Sequence, residues 1–187
     1  GVTHAEFERK LHDGSVADCF HRIAVRSGDT MFLPSGRVHA IGAGLVIFEI
    51  QQNSDTTYRV FDWNRVGLDG KPRELHLAES LASIDFNDFE PGLVQSEFSG
   101  DADFQSRELV QDALFSVASW RLAESAGTRL KPRTMQILAC LHGSLQIKTP
   151  CGVVELSPGG FCLIPACLDA VTVRANGAAS LLQVHAG

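Results

Sequence analysis

The chain has 187 residues, of which 44% are hydrophobic, enough to bury a core and to form one domain or two small ones. Its formal net charge of −6 argues against a nucleic-acid partner and against an anionic membrane surface, because both favour basic patches. No apolar run approaches the roughly 20 residues that span a bilayer, and no secretory signal is visible.

The cysteines predict a reducing environment. Five are present, an odd number without the spacing of a metal knuckle or a redox motif: Cys19, Cys140, Cys151, Cys162 and Cys167. Cys140, Cys162 and Cys167 have apolar neighbours, among which cysteine behaves as a small hydrophobic residue. We therefore expect reduced, structural thiols and a cytoplasmic location.

The first residues, about 3–22, are predicted to be helical. Phe7 and Leu11 are four residues apart, as on one helix face, and the Gly14 that follows Asp13 interrupts the pattern. Ser15 is placed to N-cap a second short helix, which would carry Val16, Cys19, Phe20 and Ile23.

From residue 23 the pattern changes to short apolar runs separated by turns. Strands are predicted at 23–26, 31–33, 45–50 and 58–63, and a helix at Leu77–Ser83. The acidic stretch 85–92 ends in Pro91-Gly92, which suits a connector, and we place a linker at 86–97. After it come seven more short runs at regular spacing, at Phe115–Leu122, 135–141, 144–148, 153–156, Phe161–Ile164, 170–173 and 180–184. Such spacing with hardly any helix predicts a β-sandwich or barrel over residues 98–187.

Two stretches of the chain repeat one pattern. Residues 28–39 read glycine, five residues, proline, any residue, glycine, two residues, histidine. Residues 159–170 keep the first glycine and the proline at the same spacing, but Cys167 replaces the second glycine and Ala170 replaces the histidine. The echo predicts tandem barrels, of which one keeps a functional site.

Three polar residues of the first half are candidates for chemistry. His39 follows a strand and a Pro-x-Gly turn, where an imidazole can bind zinc, iron or manganese, or can be an ordinary core or surface side chain. Glu49 lies inside a strongly apolar run, so it should have a partner such as Arg59 or a raised pKa. Arg59 could hold a phosphate or an enediolate oxygen, or could pair with Asp55 or Asp62.

These residues carry a family resemblance. The pattern at 28–39 resembles the second sequence motif of the cupins. Residues 34–44, 49–62 and 72–76 are similar to the signature regions of bacterial type I mannose-6-phosphate isomerases. The similarity is dense over about residues 20–85 and weaker over 98–187.

The resemblance implies a fold, an activity and roles. The fold is all-β, with tandem cupin (jelly-roll) barrels after a short helical segment, the first barrel incomplete. Family members interconvert mannose 6-phosphate and fructose 6-phosphate through a cis-enediol at a zinc ion. His39 matches a zinc ligand, Arg59 the active-site arginine and Glu49 an acid near the metal that is a candidate for proton transfer. The expected partner is a small sugar phosphate, with neither nucleic acid nor membrane; the oligomeric state stays open.

The family's other zinc ligands do not appear in this sequence. His4, His12 and His21 lie in the helical segment, outside the family's ligand context, and zinc takes three or four protein ligands. We therefore expect an inactive fragment that lacks about 100–150 residues, a size typical of a domain. It comprises part of the catalytic cupin domain at 1–85, a linker at 86–97 and a small barrel at 98–187. That barrel is expected to be metal-free, because Ala170 and Cys167 replace the motif residues and His142 is read as a surface residue.

Two other functions are compatible with the sequence. One is a non-catalytic sugar-phosphate-binding or regulatory cupin that has lost its metal. The other is an iron-dependent cupin oxygenase, which the region around Tyr58 and Arg59 disfavours, because an oxygenase needs open metal positions more than a phosphate clamp.

Overall fold

The structure is a computed structural model that describes residues 1–54, 56–63 and 65–186. The chain divides into two compact units, an N-terminal unit (Gly1–Leu93) and a C-terminal unit (Val94–Gly187). The assignment of 1–85 to a catalytic domain, 86–97 to a linker and 98–187 to a metal-free barrel stays a prediction. None of the described helices is long and apolar enough to cross a membrane.

The N-terminal unit begins with a well-capped helix, α1 (His4–Asp13). The Thr3 hydroxyl accepts a hydrogen bond from the Glu6 amide (3.3 Å), and Gly14 ends the helix at φ 80°. The buried face of α1 carries Phe7, as its spacing predicted. A single 3-10 helix, Val16–Cys19, follows, shorter than predicted, because Ser15 hydrogen-bonds Asp13 and does not cap it. The predicted helix Leu77–Ser83 is confirmed as α2.

The predictions of strands at 23–26, 31–33, 45–50 and 58–63 are wrong. None of these segments forms a ladder in the described part of the unit, where the β-pairing seen is an isolated bridge between Val66 and Pro72. A β-strand requires hydrogen bonds to a neighbouring strand, and without them the apolar run stays in solvent: Val46 is fully exposed, and Leu45 and Ile47 are about half exposed.

The two segments that share a sequence pattern, 28–39 and 159–170, also share their turn conformations. The turn at 26–29 closes with a bond from the Asp29 amide to the Arg26 carbonyl (3.1 Å), and the turn at 157–160 closes in the same way (2.8 Å). The second turns, at 34–37 and 165–168, match as well (3.2 and 3.4 Å). The glycines that open both copies have positive φ, 92° at Gly28 and 83° at Gly159. Between the turns the later copy is a paired strand, whereas the earlier copy has no partner strand.

The C-terminal unit is an antiparallel β-structure of eight strands. They are β1 (Ser99–Gly100), β2 (Phe104–Gln111), β3 (Phe115–Leu122), β4 (Gly127–Leu130), β5 (Gln136–Thr149), β6 (Gly152–Leu156), β7 (Phe161–Ile164) and β8 (Val171–Ala186). The sheet runs in the order β1-β2-β3-β8-β5-β6, with β4 paired to β8 and β7 paired to β5. The long strands β5 and β8 therefore hold most of the unit together.

The sequence located most of these strands. Strands β3 and β7 have the predicted bounds, and β6 begins one residue earlier. The runs predicted at 135–141 and 144–148 are one strand, β5, and those at 170–173 and 180–184 are one strand, β8. Strands β1, β2 and β4 were not predicted.

One face of the sheet is packed into a single apolar cluster, which we call the core face. Its residues are Trp120, Leu122, Leu130, Leu138, Cys140, Leu145, Ile147, Leu156, Ile164, Val171, Val173, Ala175, Ala179 and Leu181. All five thiols of the chain are free, as expected, and burial raises the pKa of Cys140 and Cys162. Cys167 is exposed, so it does not act as a core residue.

Candidate active site

His39 lies two residues beyond the second turn of the motif and is exposed. Its Nδ1 is 3.2 Å from the carbonyl oxygen of Arg37. If Nδ1 donates its proton to that carbonyl, the lone pair of Nε2 points away from the backbone and can bind a metal. This local geometry therefore suits a single histidine ligand.

A partly buried ion pair fixes the turn that precedes His39. The Arg37 guanidinium donates two hydrogen bonds of 2.7 Å to the Asp88 carboxylate and a third to the Phe32 carbonyl. Arg37 and Asp88 are 17% and 22% exposed, and the bonds from Arg37 lower the pKa of Asp88. This pair could not be predicted from sequence patterns, because the two residues are 51 positions apart.

Glu49 is exposed, which corrects the expectation of a buried carboxylate. The expectation relied on the apolar neighbours, which are themselves in solvent. The carboxylate forms no hydrogen bond or ion pair with another described residue, so the alternative of an ion pair with Arg59 is not seen.

Arg59 is half-buried and bound to the segment before α2. Its backbone amide donates to Nδ1 of His76 (3.1 Å), the His76 amide donates back to the Arg59 carbonyl (2.9 Å), and Nη1 of Arg59 donates to the Glu74 carbonyl (3.1 Å). The Tyr58 and His76 rings are 6.1 Å apart. His76 thus helps to position Arg59, a role that the sequence analysis did not assign.

Asp62 is the partner of two other arginines. It is 6% exposed and accepts hydrogen bonds from Arg65 (2.6 Å) and Arg73 (2.8 Å). The bonds from Arg73 and then Arg65 hold the pKa of Asp62 well below its usual range. The alternative in which Asp62 neutralises Arg59 is therefore not what the structure shows, and Asp55, the other proposed partner, lies outside the described residues.

The structure does not join the three predicted site residues by direct contact. No hydrogen bond or ion pair connects His39, Glu49 and Arg59 to one another. Within residues 1–54, 56–63 and 65–186, no group of three or more His, Cys, Asp or Glu side chains could hold a metal ion. The family resemblance implies that His39, Glu49 and Arg59 converge on one cavity, and this stays a prediction.

The comparisons with known proteins bear on this site and on the fold. The family model for the mannose-6-phosphate isomerase cupin domain matches residues 105–186. The mannose-6-phosphate isomerase ManA of Bacillus subtilis (strain 168) is 32% identical over 164 residues, which are 88% of this chain and 51% of that protein. The resemblance to cupin-type mannose-6-phosphate isomerases is therefore confirmed.

Further relatives agree. The mannose-6-phosphate isomerase of Streptococcus mutans is 36% identical over 120 residues, 64% of this chain and 37% of that protein. The crystal structure of the mannose 6-phosphate isomerase from Bacillus subtilis superposes with a TM-score of 0.61 and 27% identity, covering 72% of this chain and 41% of that one. The predicted all-β cupin fold is confirmed. The chain spans about half the length of the first curated relatives it matches.

Proposed function

We propose that this chain belongs to an enzyme that interconverts mannose 6-phosphate and fructose 6-phosphate. The observation that carries the proposal is the 32% identity to a mannose-6-phosphate isomerase over 88% of the chain. That coverage includes most of the chain, and the segment with the signature residues His39, Glu49 and Arg59 supports the same function.

Arg59 is proposed to stabilise negative charge on the substrate. One of its terminal nitrogens is held by the Glu74 carbonyl, and the His76 side chain fixes its backbone. Because no described carboxylate pairs with its guanidinium, the positive charge stays available for a phosphate or for an enediolate oxygen.

Glu49 is proposed to move the proton between C1 and C2. An aldose–ketose interconversion needs a base that removes a proton from one carbon and returns it to the next. The Glu49 carboxylate is exposed and has no described partner, so it is free to accept a proton.

His39 is proposed to be one ligand of a zinc ion. Bound zinc would act as a Lewis acid toward substrate oxygens. The Nδ1 contact with the Arg37 carbonyl fits a ligand that binds through Nε2, but the described residues do not form a complete zinc site, since zinc takes three or four protein ligands. The 187-residue chain by itself is therefore expected to bind zinc weakly and to turn over little substrate.

The test separates the roles by measuring zinc content and turnover together. The 187-residue chain and the full product of the same gene are assayed with mannose 6-phosphate, and zinc is measured by mass spectrometry. In whichever protein is active, Arg59→Ala should lower kcat/KM by about 100-fold or more and leave zinc content unchanged. His39→Ala should lose zinc, and activity with it.

A matched control is Arg22→Ala, an exposed arginine outside the signature segment, which should change neither quantity. Full activity in Arg59→Ala would contradict the role of Arg59. Stoichiometric zinc and turnover in the 187-residue chain would contradict the expectation of an incomplete site.

A non-catalytic sugar-phosphate-binding protein is the second candidate. It is favoured by the lack of a metal-binding cluster among the described residues. Saturable binding of mannose 6-phosphate without turnover in the full gene product would support it over the isomerase. For either function we propose a cytoplasmic location, because all five thiols are free.

A further inference from the structure

The core face of the C-terminal unit changes from apolar to polar at one end of the sheet. On β8 the core residue Leu181 is followed on the same face by Gln183 and His185. The same level of the sheet carries Gln136 at the beginning of β5 and Ser116 at the beginning of β3. The register places Ser116 and Gln136 on either side of His185, so these groups lie side by side.

A cavity of about 430 Å³ lies at this polar end. Its apolar lining includes Phe104 and Trp120, whose rings pack edge to face with centroids 5.2 Å apart. Its polar lining includes Ser106, Glu108, Gln111, Ser116, Gln183 and His185. The volume is within the range of sites for small molecules, and an apolar base with converging polar groups is their usual construction.

Two buried amides contribute unused hydrogen-bonding groups. Gln136 and Gln183 are 5% and 6% exposed, and Nε2 of Gln183 donates to Oε1 of Gln136 (2.9 Å). Neither side chain forms another hydrogen bond with a described residue. Because a carboxamide has two N–H donors and an acceptor oxygen, Gln183 retains a donor and an acceptor at the cavity wall. These groups are therefore able to hydrogen-bond a polar ligand.

The charged and titratable side chains of the lining indicate which class of ligand the cavity can bind. Arg107 is the one cationic residue among the described lining residues, but β2 directs it away from the core face, and its guanidinium lies 5.0 Å from the Phe98 ring. Burial lowers the pKa of His185, so its imidazole is neutral at pH 7 and offers one donor and one acceptor. Glu108 adds an acceptor. A phosphate would find one cation in the lining, on a side chain directed away from the core face, whereas hydroxyl groups, which both donate and accept, match this set of donors and acceptors.

We propose that this cavity is a binding site for a small uncharged polyhydroxy compound, such as a monosaccharide or a sugar alcohol. The lining residues of the site lie on strands β2, β3 and β8 of the C-terminal unit, and Gln136 of β5 supports it through the hydrogen bond with Gln183. Its lining does not include His39, Glu49 or Arg59, and the proposal does not depend on the proposed isomerase activity.

The test is calorimetric titration of the 187-residue chain with mannose, glucose and mannitol. At least one of these probes should bind saturably with one site per chain. Gln183→Met, which keeps the side-chain length and removes the amide, should weaken that binding about tenfold or more. The matched control is Gln105→Met on β2, the same chemical change on the opposite face, which should change the affinity by less than about twofold.

A second variant keeps the proposal testable if Gln183→Met does not fold. Glu108→Gln changes an exposed acceptor at the cavity rim, so it should keep the far-UV circular dichroism spectrum and still weaken binding. Absence of saturable binding for all three probes would overturn the proposal, as would an affinity that neither Gln183→Met nor Glu108→Gln lowers. Arg59→Ala should leave the binding of the neutral probe intact, which distinguishes failure of this site from failure of the isomerase proposal.

Discussion

At the scale of single residues, the buried carboxylate of Asp62 makes the clearest pH-dependent contribution to stability. Its pKa in the folded chain is held below the unfolded value by Arg73 and Arg65. The folded state therefore binds this proton less readily than the unfolded state, and the carboxylate stabilises the fold above the unfolded pKa of about 4. That stabilisation should be lost as the pH falls below about 4 toward the folded pKa.

The prediction is tested with Asp62→Asn. At pH 7 the variant should unfold at a lower denaturant concentration than the wild type, because it leaves two arginines without their carboxylate. Between pH 5 and pH 3 the variant should lose less stability than the wild type does. The neighbouring Trp63 reports on this region if Trp120 is replaced by Phe in both proteins.

The matched control is Asp13→Asn, whose carboxylate pairs with Arg9 at the exposed surface of α1. Exposed pairs of this kind contribute little, so its unfolding midpoint should hardly move. A pH profile of Asp62→Asn that parallels the wild type would show that the Asp62 cluster does not stabilise the unit.

The sequence indicated candidate site residues but not their contacts. Arg59 was a candidate from its apolar surroundings and its motif, and the structure places it half-buried beside His76. The pairing of Asp62 with Arg73 could not be read in advance, because the choice between Arg59, Arg65 and Arg73 depends on the path of the backbone. Glu49 was misjudged, because an apolar neighbourhood in the sequence indicates burial only where another segment covers it.

At the scale of elements, β5 depends on a glycine where its pairing with β8 shifts register. The shifts lie on either side of His142, and the next residue, Gly143, has φ 74°. A Cβ at Gly143 would overlap the Ala178 carbonyl oxygen and lie 2.9 Å from Cα of Ala179. The bulge thus requires both a left-handed backbone and an empty side-chain position.

Gly143→Ala should destabilise the C-terminal unit by about 2–4 kcal/mol, the sum of left-handed strain and overpacking. The control is Gly177→Ala in β8, which has a similar φ of 79° but nothing within 4 Å of the added Cβ. It should cost about 1–2 kcal/mol, from the backbone strain alone. Urea unfolding followed by circular dichroism measures both, and equal costs would contradict the steric argument.

The same bulge explains why the sequence divided β5 into two strands. The glycine and the polar residues near it read as a turn, but the hydrogen-bonded ladder to β8 resumes at Ser144. Alternation of apolar residues predicted β3 and β7 well because both lie beside the core. The same kind of signal failed at 45–50, where the apolar residues have no strand to pair with.

At the scale of the whole molecule, the two units differ in how much core they contain. In the described part of the N-terminal unit, the buried hydrophobic residues are Phe7 and Val16, whereas the C-terminal unit has one contiguous cluster on the six strands β3 to β8. Hydrophobic burial is the main favourable term in folding, so the C-terminal unit should resist local opening far more than residues 40–54 do.

Thermolysin cleavage tests this difference, because the protease cuts before large apolar residues and needs an open backbone. The bonds before Leu45, Val46 and Ile47 should be cut at least about tenfold faster than those before Leu181 and Leu182, which are buried in β8. Mass spectrometry of early products identifies the cut sites. The same protein in concentrated urea is the control, since residues 45–47 and the Leu181–Leu182 segment should then be cut at similar rates. If β8 were cut as early as residues 45–47 in the native chain, the core cluster would not be what protects the C-terminal unit.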